Sequence, residues 1–95
     1  MEERREPLAV GTEEQVVTIL MEPIAVFTYR GYVPAVSVRV EQTGEERLLY
    51  ISAASIAHPL ELLRQKNEGR FSGIRIGVRK ESSDRFAKYI VREPA

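Results

Sequence analysis

The amino-acid sequence predicts a mostly β protein with one helix, in the order β-β-β-α-β-β. Residues 15–51 are dominated by valine, isoleucine, threonine and tyrosine, whose side chains fit a pleated sheet better than a helix. Within this stretch valine occupies every second position from Val36 to Val40, which is the period of a strand with one buried face. Only residues 52–67 combine helical apolar spacing with capping and stop residues at their ends.

The first three strands follow one another closely. The first begins near Gln15 and continues to Arg30, and it must bend at Pro23 because proline cannot donate to a ladder in mid-strand. Gly31 makes a tight turn, and Pro34 starts the second strand. The sequence Gln-Thr-Gly-Glu at 42–45 is a hairpin turn, and the third strand follows it over residues 47–52.

The second half of the chain completes the sheet. Ser52 or Ser55 is expected to cap the helix, which ends at the Asn-Glu-Gly sequence of 67–69. A fourth strand is predicted for residues 71–79 and a fifth for 85–92. The predicted buried stripe of the helix consists of Ile56, Leu60 and Leu63, with Leu62 as a further candidate.

Length and composition restrict the possible functions. The chain has 95 residues, no cysteine and one histidine, which excludes disulfides, thiol catalysis and clustered cysteine or histidine metal sites. We predict an acidic flexible tail at 1–13, a single domain at 14–93, and neither a cofactor nor enzymatic activity. No apolar segment suits a signal peptide or a membrane span, so we expect a soluble, cytoplasmic protein without a membrane partner.

Charge is distributed unevenly although the formal net charge is zero. Residues 1–22 hold six glutamates and two arginines, whereas residues 70–92 hold seven cations and two acids. Such a basic segment favours an anionic partner, and nucleic acid is the commonest. Arginine also grips phosphate with paired hydrogen bonds. An arginine-rich composition without a binding function is the alternative, because isolated surface charges usually do little.

Several short motifs resemble a known family. The run Val16–Pro23, then Phe27, Arg30–Gly31 and Val38–Gly44 looks like the first hairpin of replication-protein-type OB-fold domains. The resemblance implies a five-stranded Greek-key OB-fold barrel that binds single-stranded DNA in replication or repair. The chain departs from that family in having no tryptophan, no cysteine cluster and two very short loops.

Binding a single strand without reading its sequence requires flat π surfaces for the bases and cations for the backbone. Alternation predicts that Ser37 points outward with the arginines of strands two and four. Phe71, Phe86 and Tyr89 are interpreted as structural, and the face of Phe27 stays open. The predicted nucleic-acid-binding residues are Tyr29, Arg30, Tyr32, Arg39, Tyr50, Arg75, Arg79 and Lys80.

The predicted function is binding of single-stranded DNA or RNA with little sequence preference, through a basic face that bears tyrosines. The alternative is a protein-binding OB module or a small subunit of a replication or repair complex, since tyrosine and arginine are also favoured at protein interfaces. Open sheet edges make self-association a further expectation. An enzyme has no supporting constellation, because His58 stands alone and the glutamates of the turns are expected to be solvated.

Overall fold

The computed structural model describes residues 6–94 and contains six strands and one helix. The prediction of a mostly β protein with a single helix is confirmed, and the first predicted strand is divided into two. The elements are β1 (Gln15–Ile19), β2 (Ile24–Thr28), β3 (Gly31–Val40), β4 (Glu46–Tyr50), α1 (Ala54–Lys66), β5 (Arg75–Lys80) and β6 (Tyr89–Arg92).

All six strands belong to one antiparallel sheet with β3 at its centre. The order is β2-β3-β1-β5-β6, and β4 pairs with the other edge of β3. Strand β3 therefore has three neighbours, whereas β2 and β6 lie at the two ends of the order. Among residues 6–94, β4 and β6 do not pair with each other, so the sheet is open.

The bend predicted at Pro23 is present. Strands β1 and β2 pair with different halves of β3, so that Ile19 lies opposite Val38 and Ile24 lies opposite Ala35. The backbone N–H of Leu20 still donates to Ser37 O at 2.8 Å. After this bond the chain makes a detour away from β3. The four residues from Leu20 to Pro23 lie opposite only two residues of β3, Val36 and Ser37.

The core lies between one face of the sheet and α1. The helix contributes Ile56 and Leu60, and Leu63 is partly buried against them. Leu62, the further candidate for this stripe, is exposed instead. The sheet contributes its inward-facing valines, isoleucines and leucine. No helix in the described part of the chain is long and apolar enough to span a membrane. The strand residues of this core cluster are Val17, Ile19, Val36, Val38, Val40, Leu49 and Ile76, and Ile51 and Ile74 join it from positions next to β4 and β5.

The start of α1 differs from the prediction. Ala53 is the N-cap residue, and no side chain caps the helix. The Ser55 hydroxyl instead accepts a hydrogen bond from the backbone N–H of Tyr89 at 3.1 Å. Ser55 therefore joins the first turn of the helix to β6, which explains why it does not act as the predicted cap.

Ser37 is buried, with 1% of its surface exposed, so the prediction that it points outward to solvent is wrong. Alternation places it opposite the core face, but β3 is flanked by strands on both edges. Ser37 is small and pairs directly with Leu48 of β4, which is also buried. Larger neighbours thus cover a short side chain in a central strand. The Ser37 hydroxyl oxygen has no hydrogen-bond partner among the described residues.

Part of the segment assigned to the acidic tail lies against the free edge of β4. Pro7 forms a parallel bridge with Leu48, the Leu8 N–H donates to Leu48 O at 2.7 Å, and the Leu48 N–H donates to Glu6 O at 2.9 Å. Leu8 and Val10 pack against the core, because apolar residues two apart in an extended segment share one face. Residues 1–5 of the predicted tail lie outside the described residues.

Glu22 joins the bend between β1 and β2 to the loop before β5. Its carboxylate accepts the backbone N–H groups of Phe71 at 3.1 Å and Ser72 at 2.9 Å. These two bonds, led by that from Ser72, lower the pKa of Glu22 below its ordinary value of 4.5. The Glu22-Pro23 dipeptide thus both interrupts the strand and fixes the neighbouring loop.

We expect the variant Glu22→Gln to be less stable than the wild type in a pH-dependent manner. Because the folded-state pKa is lowered, the stabilisation is present above the ordinary pKa and is lost as the pH falls through the folded value. Melting temperatures measured from about pH 7 to about pH 3 should show a gap that narrows on acidification. Glu13→Gln, at an exposed position, is the control. A gap independent of pH would contradict this account.

Candidate nucleic-acid interface

The hairpin between β2 and β3 has only two residues in its turn, Tyr29 and Arg30. Thr28 pairs with Gly31, whose φ of 96° is unfavourable for residues with a side chain. The Thr28 hydroxyl donates to Gly31 O at 2.8 Å and accepts the Arg30 N–H at 3.1 Å. The turn is therefore fixed by its own hydrogen bonds and projects both of its side chains from the end of the hairpin.

Three aromatic rings are exposed on this hairpin. Phe27 lies opposite Tyr32, and their ring centroids are 5.1 Å apart in an edge-to-face arrangement. Phe27 is 71% exposed, Tyr32 73% and Tyr29 91%. Tyr32 and the core residue Val36 are an even number of residues apart in β3, so their side chains lie on the same face of the sheet. Tyr32 is nevertheless exposed, because at this end the hairpin extends beyond the core. We call Phe27, Tyr29, Arg30 and Tyr32 the aromatic hairpin.

A groove of about 570 Å³ lies beside the aromatic hairpin. The guanidinium carbon Cζ of Arg30 is 5.4 Å from the centroid of the Tyr29 ring, which is within range of a cation–π interaction. Half-buried Tyr50 of β4 also lines the groove. Three of the predicted residues, Tyr29, Arg30 and Tyr50, thus line one groove, and Tyr32 lies on the same hairpin outside it. The groove is lined by Phe27, Thr28, Tyr29, Arg30, Val33, Tyr50 and Ser52.

Two of the predicted arginines of the sheet, Arg39 and Arg75, point outward as expected, and each is paired with a glutamate. Arg75 donates to Glu41 through Nε at 2.7 Å and through Nη2 at 3.0 Å. This hydrogen bonding lowers the pKa of Glu41 and raises that of Arg75. Nη2 of Arg39 lies 3.7 Å from Oε2 of Glu46 in the neighbouring strand β4. The face of the sheet therefore carries ion pairs rather than a row of uncompensated cations.

A third ion pair covers β5. Arg92 donates to Glu14 through Nε at 2.6 Å and Nη2 at 2.8 Å. That hydrogen bond is the main cause of the lowered pKa of Glu14, with a smaller Coulombic contribution from Arg79. The Glu14 carboxylate occupies the place where a Cβ on Gly77 would lie. Glycine at this strand position therefore makes room for the ion pair.

Arg79 and Lys80 lie away from the aromatic hairpin in the sheet order, near the start of β6. Arg79 is half-buried and donates to Lys80 O at 3.2 Å, so it does not point freely outward as predicted. The Lys80 Nζ is 5.8 Å from the ring centroid of Tyr89. Tyr89 and Phe71 pack against the core, which confirms their structural interpretation.

Phe86 is 82% exposed, so its interpretation as a structural residue is wrong. The predicted fifth strand started too early: β6 begins at Tyr89, and Phe86 lies in the preceding turn. The guanidinium carbon of Arg85 is 5.0 Å from the Phe86 ring centroid. Arg85 and Phe86 thus form a second exposed pair of a cation and an aromatic ring. The alternation of buried and exposed residues could not predict this pair, because that alternation applies only inside strands.

Phe27 could have been recognised from the sequence. A two-residue turn at Tyr29 and Arg30 pairs Thr28 with Gly31 and therefore Phe27 with Tyr32. Cross-strand partners share one face, so an exposed Tyr32 implies an exposed Phe27. The length of the turn, rather than the composition of the strand, was the feature of the sequence that indicated an exposed Phe27.

No cluster of three or more histidine, aspartate or glutamate side chains suited to a metal ion occurs among residues 6–94. Comparison of the chain with protein-family models, with curated proteins and with solved structures gave no match. The candidate site is therefore defined by its geometry and its charges.

We expect Gly77→Ala to be less favourable to the melting temperature in the wild-type background than in the Glu14→Ala background, because the new methyl group displaces the Glu14 carboxylate from Arg92. In the Glu14→Ala background the same change should be neutral or stabilising. Alanine in a strand interior is favoured over glycine by about 0.5–1 kcal/mol. Thermal unfolding of the four proteins of this double-mutant cycle measures the coupling. Equal effects of Gly77→Ala in both backgrounds would show that Glu14 does not occupy this place.

Proposed function

We propose that this domain binds single-stranded nucleic acid at the aromatic hairpin. The observation that carries the proposal is the presence of three exposed rings and one arginine on a single hairpin with a two-residue turn. Every base has a π face, so such rings bind single strands with little sequence preference. Large exposed aromatic side chains that cluster together are unusual unless they serve a binding surface.

The charge arrangement favours the hairpin over the face of the sheet as the binding site. Arg39 and Arg75 are each compensated by a glutamate, and a phosphate would have to compete with that carboxylate for the guanidinium. Among the described residues, Arg30 has no carboxylate partner and lies beside the exposed Tyr29 ring. Arg30 is therefore the cation best placed to contact the backbone of a strand stacked on the hairpin.

The arrangement of the strands supports an OB-type architecture, which we include in the proposal. Taken as one bent strand, β1 and β2 pair with β3, and β1 also pairs with β5. The helix precedes β5, and β5 forms a hairpin with β6. This order is compatible with a partly open Greek-key barrel in which the aromatic hairpin joins the first and second strands. In that architecture the loop between these strands is one of the ligand-binding loops.

DNA is the proposed ligand, and RNA is the comparison that the binding experiment must include. The resemblance of the first hairpin to replication-protein-type domains favours DNA. Stacking on the tyrosines does not distinguish the two, because both nucleic acids offer the same π faces. A protein distinguishes RNA from DNA at a given position by contacting the 2′-hydroxyl group.

A protein-binding module is the second candidate function. Phe27 and Tyr32 form a compact exposed pair, and tyrosine and arginine dominate the residues that contribute most to protein interfaces. In this alternative the domain is a small subunit of a replication or repair complex. Ionic strength separates the two functions, because phosphate contacts weaken steeply with salt, whereas an apolar protein interface does not.

We expect Tyr29→Ala and Tyr32→Ala each to weaken binding of oligo-dT. Loss of one stacked base corresponds to about 1–3 kcal/mol, or roughly a 5- to 150-fold rise in Kd. Fluorescence anisotropy with oligo-dT, oligo-U and duplex DNA measures the effect and the preference. Phe86→Ala is the matched control, because it removes an equally exposed ring outside the hairpin. No binding of any of the three by the wild type at low salt would refute the proposal.

We expect Arg30→Ala to reduce the salt dependence of binding. Each phosphate contact with a single strand contributes about −0.7 to the slope of log Kobs against log salt. The slope measured between about 50 and 200 mM salt should therefore fall by about 0.7 in magnitude. Arg75→Ala should leave the slope nearly unchanged, since Glu41 already compensates this cation. A larger effect of Arg75→Ala than of Arg30→Ala would move the site to the face of the sheet.

A further inference from the structure

Strand β2 has an unpaired edge. It pairs with β3 on one side, and no described strand lies on its other side. Its sequence, Ile-Ala-Val-Phe-Thr, contains no charged residue and no proline. Natural edge strands usually carry lysine, proline or a bulge that prevents pairing with another chain. β2 lacks these devices between Ile24 and Thr28.

The pairing with β3 shows which main-chain groups of β2 face this edge. Ala25 lies opposite Pro34, which has no N–H, and Pro34 O accepts the N–H of Ile51 at 3.0 Å on the other edge of β3. Ala25 and Pro34 are therefore a non-hydrogen-bonded pair. Because hydrogen-bonded and non-hydrogen-bonded pairs alternate in an antiparallel ladder, Phe27 and Tyr32 are a second such pair. The N–H and C=O groups of Ala25 and Phe27 thus point away from β3.

These groups are complementary to those of a second copy of the same strand. If two copies of β2 lie antiparallel with Val26 on the twofold axis, Ala25 of each copy faces Phe27 of the other. Both residues offer outward N–H and C=O groups, so the two pairs form about four main-chain hydrogen bonds. A twofold axis at residue 25 or 27 would also place outward N–H and C=O groups opposite one another. Fewer residues of the two β2 strands would then lie side by side.

Charge also favours this register. Glu22 precedes β2 and Arg30 follows it in the turn, so antiparallel pairing of two copies brings the acidic end of each strand near the basic end of the other. Glu22 is exposed, and its lowered pKa keeps its carboxylate charged. The same symmetry operation therefore brings opposite charges near each other at both rims of an uncharged strand, as expected for an isologous interface.

We propose that the free edge of β2 is a homodimerisation surface, on which a second copy of the chain continues the sheet in antiparallel register about Val26. The ladder is short, so the dimer is weak and forms reversibly with rising protein concentration. It sets two aromatic hairpins side by side on one continuous sheet. The inference concerns the backbone of β2 and does not rest on nucleic-acid binding.

A cysteine-scanning experiment tests both the interface and its register, because the chain has no cysteine of its own. In the proposed dimer the two Val26 Cα atoms are about 4.5 Å apart, within the range of a disulfide. The two Ala25 Cα atoms are diagonal neighbours about 7–8 Å apart, beyond that range. We expect Val26→Cys to form a disulfide-linked dimer about tenfold faster than Ala25→Cys under mild oxidation.

Ala25 is the more exposed of the two positions, so random collision would reverse this order of rates. Sedimentation of the wild type should also show a mass that rises towards that of a dimer with concentration. Ala25→Pro, which removes an outward N–H without touching the ladder with β3, should abolish this rise, and Ala25→Ser should preserve it. Cross-linking of Ala25→Cys at an equal or higher rate, or a monomer at every concentration, would overturn the proposal.

Discussion

The pairing of β3 with three strands at once is the constraint on which the rest of the structure depends. Its second half, from Val36 to Val40, supplies the core valines and pairs with β1 and β4. Its first half pairs with β2 and extends past the core. Because one ten-residue strand serves both purposes, the hairpin is anchored by the core and its end remains exposed.

Several local features follow from this arrangement. The chain has to make a detour between β1 and β2, and Glu22 uses that detour to fix the loop before β5. The central position of β3 buries Ser37 on the side opposite to the core. The outward arginines of β3 and β5, Arg39 and Arg75, each meet a glutamate on the same face of the sheet. Arg39 and Arg75 are thus held in ion pairs on the face of the sheet, whereas the proposed binding at the hairpin relies on Arg30.

Much of the fold could be predicted, and less of the site. The period of valine, the turn residues, Pro23 and the helical apolar spacing predicted the order of the elements and the bend, but the first strand is divided into two and β5 and β6 begin later than predicted. Burial of Ser37 escaped prediction because alternation assigns a face but not what covers it. The ion pair of Arg75 with Glu41 joins residues 34 apart in sequence, which composition does not contain, whereas that of Arg39 with Glu46 depends on the register of the β3–β4 hairpin. Phe86 was missed because the start of β6 depends on pairing with β5 rather than on local propensity.

We propose that a single strand of nucleic acid binds to the aromatic hairpin and not to the arginines on the face of the sheet. The most direct measurement is a titration of ¹⁵N-labelled protein with oligo-dT, followed by amide chemical shifts. We expect the largest shifts in residues 27–32 and around Tyr50. Shifts centred on Arg39 and Arg75, with the hairpin unchanged, would contradict the account.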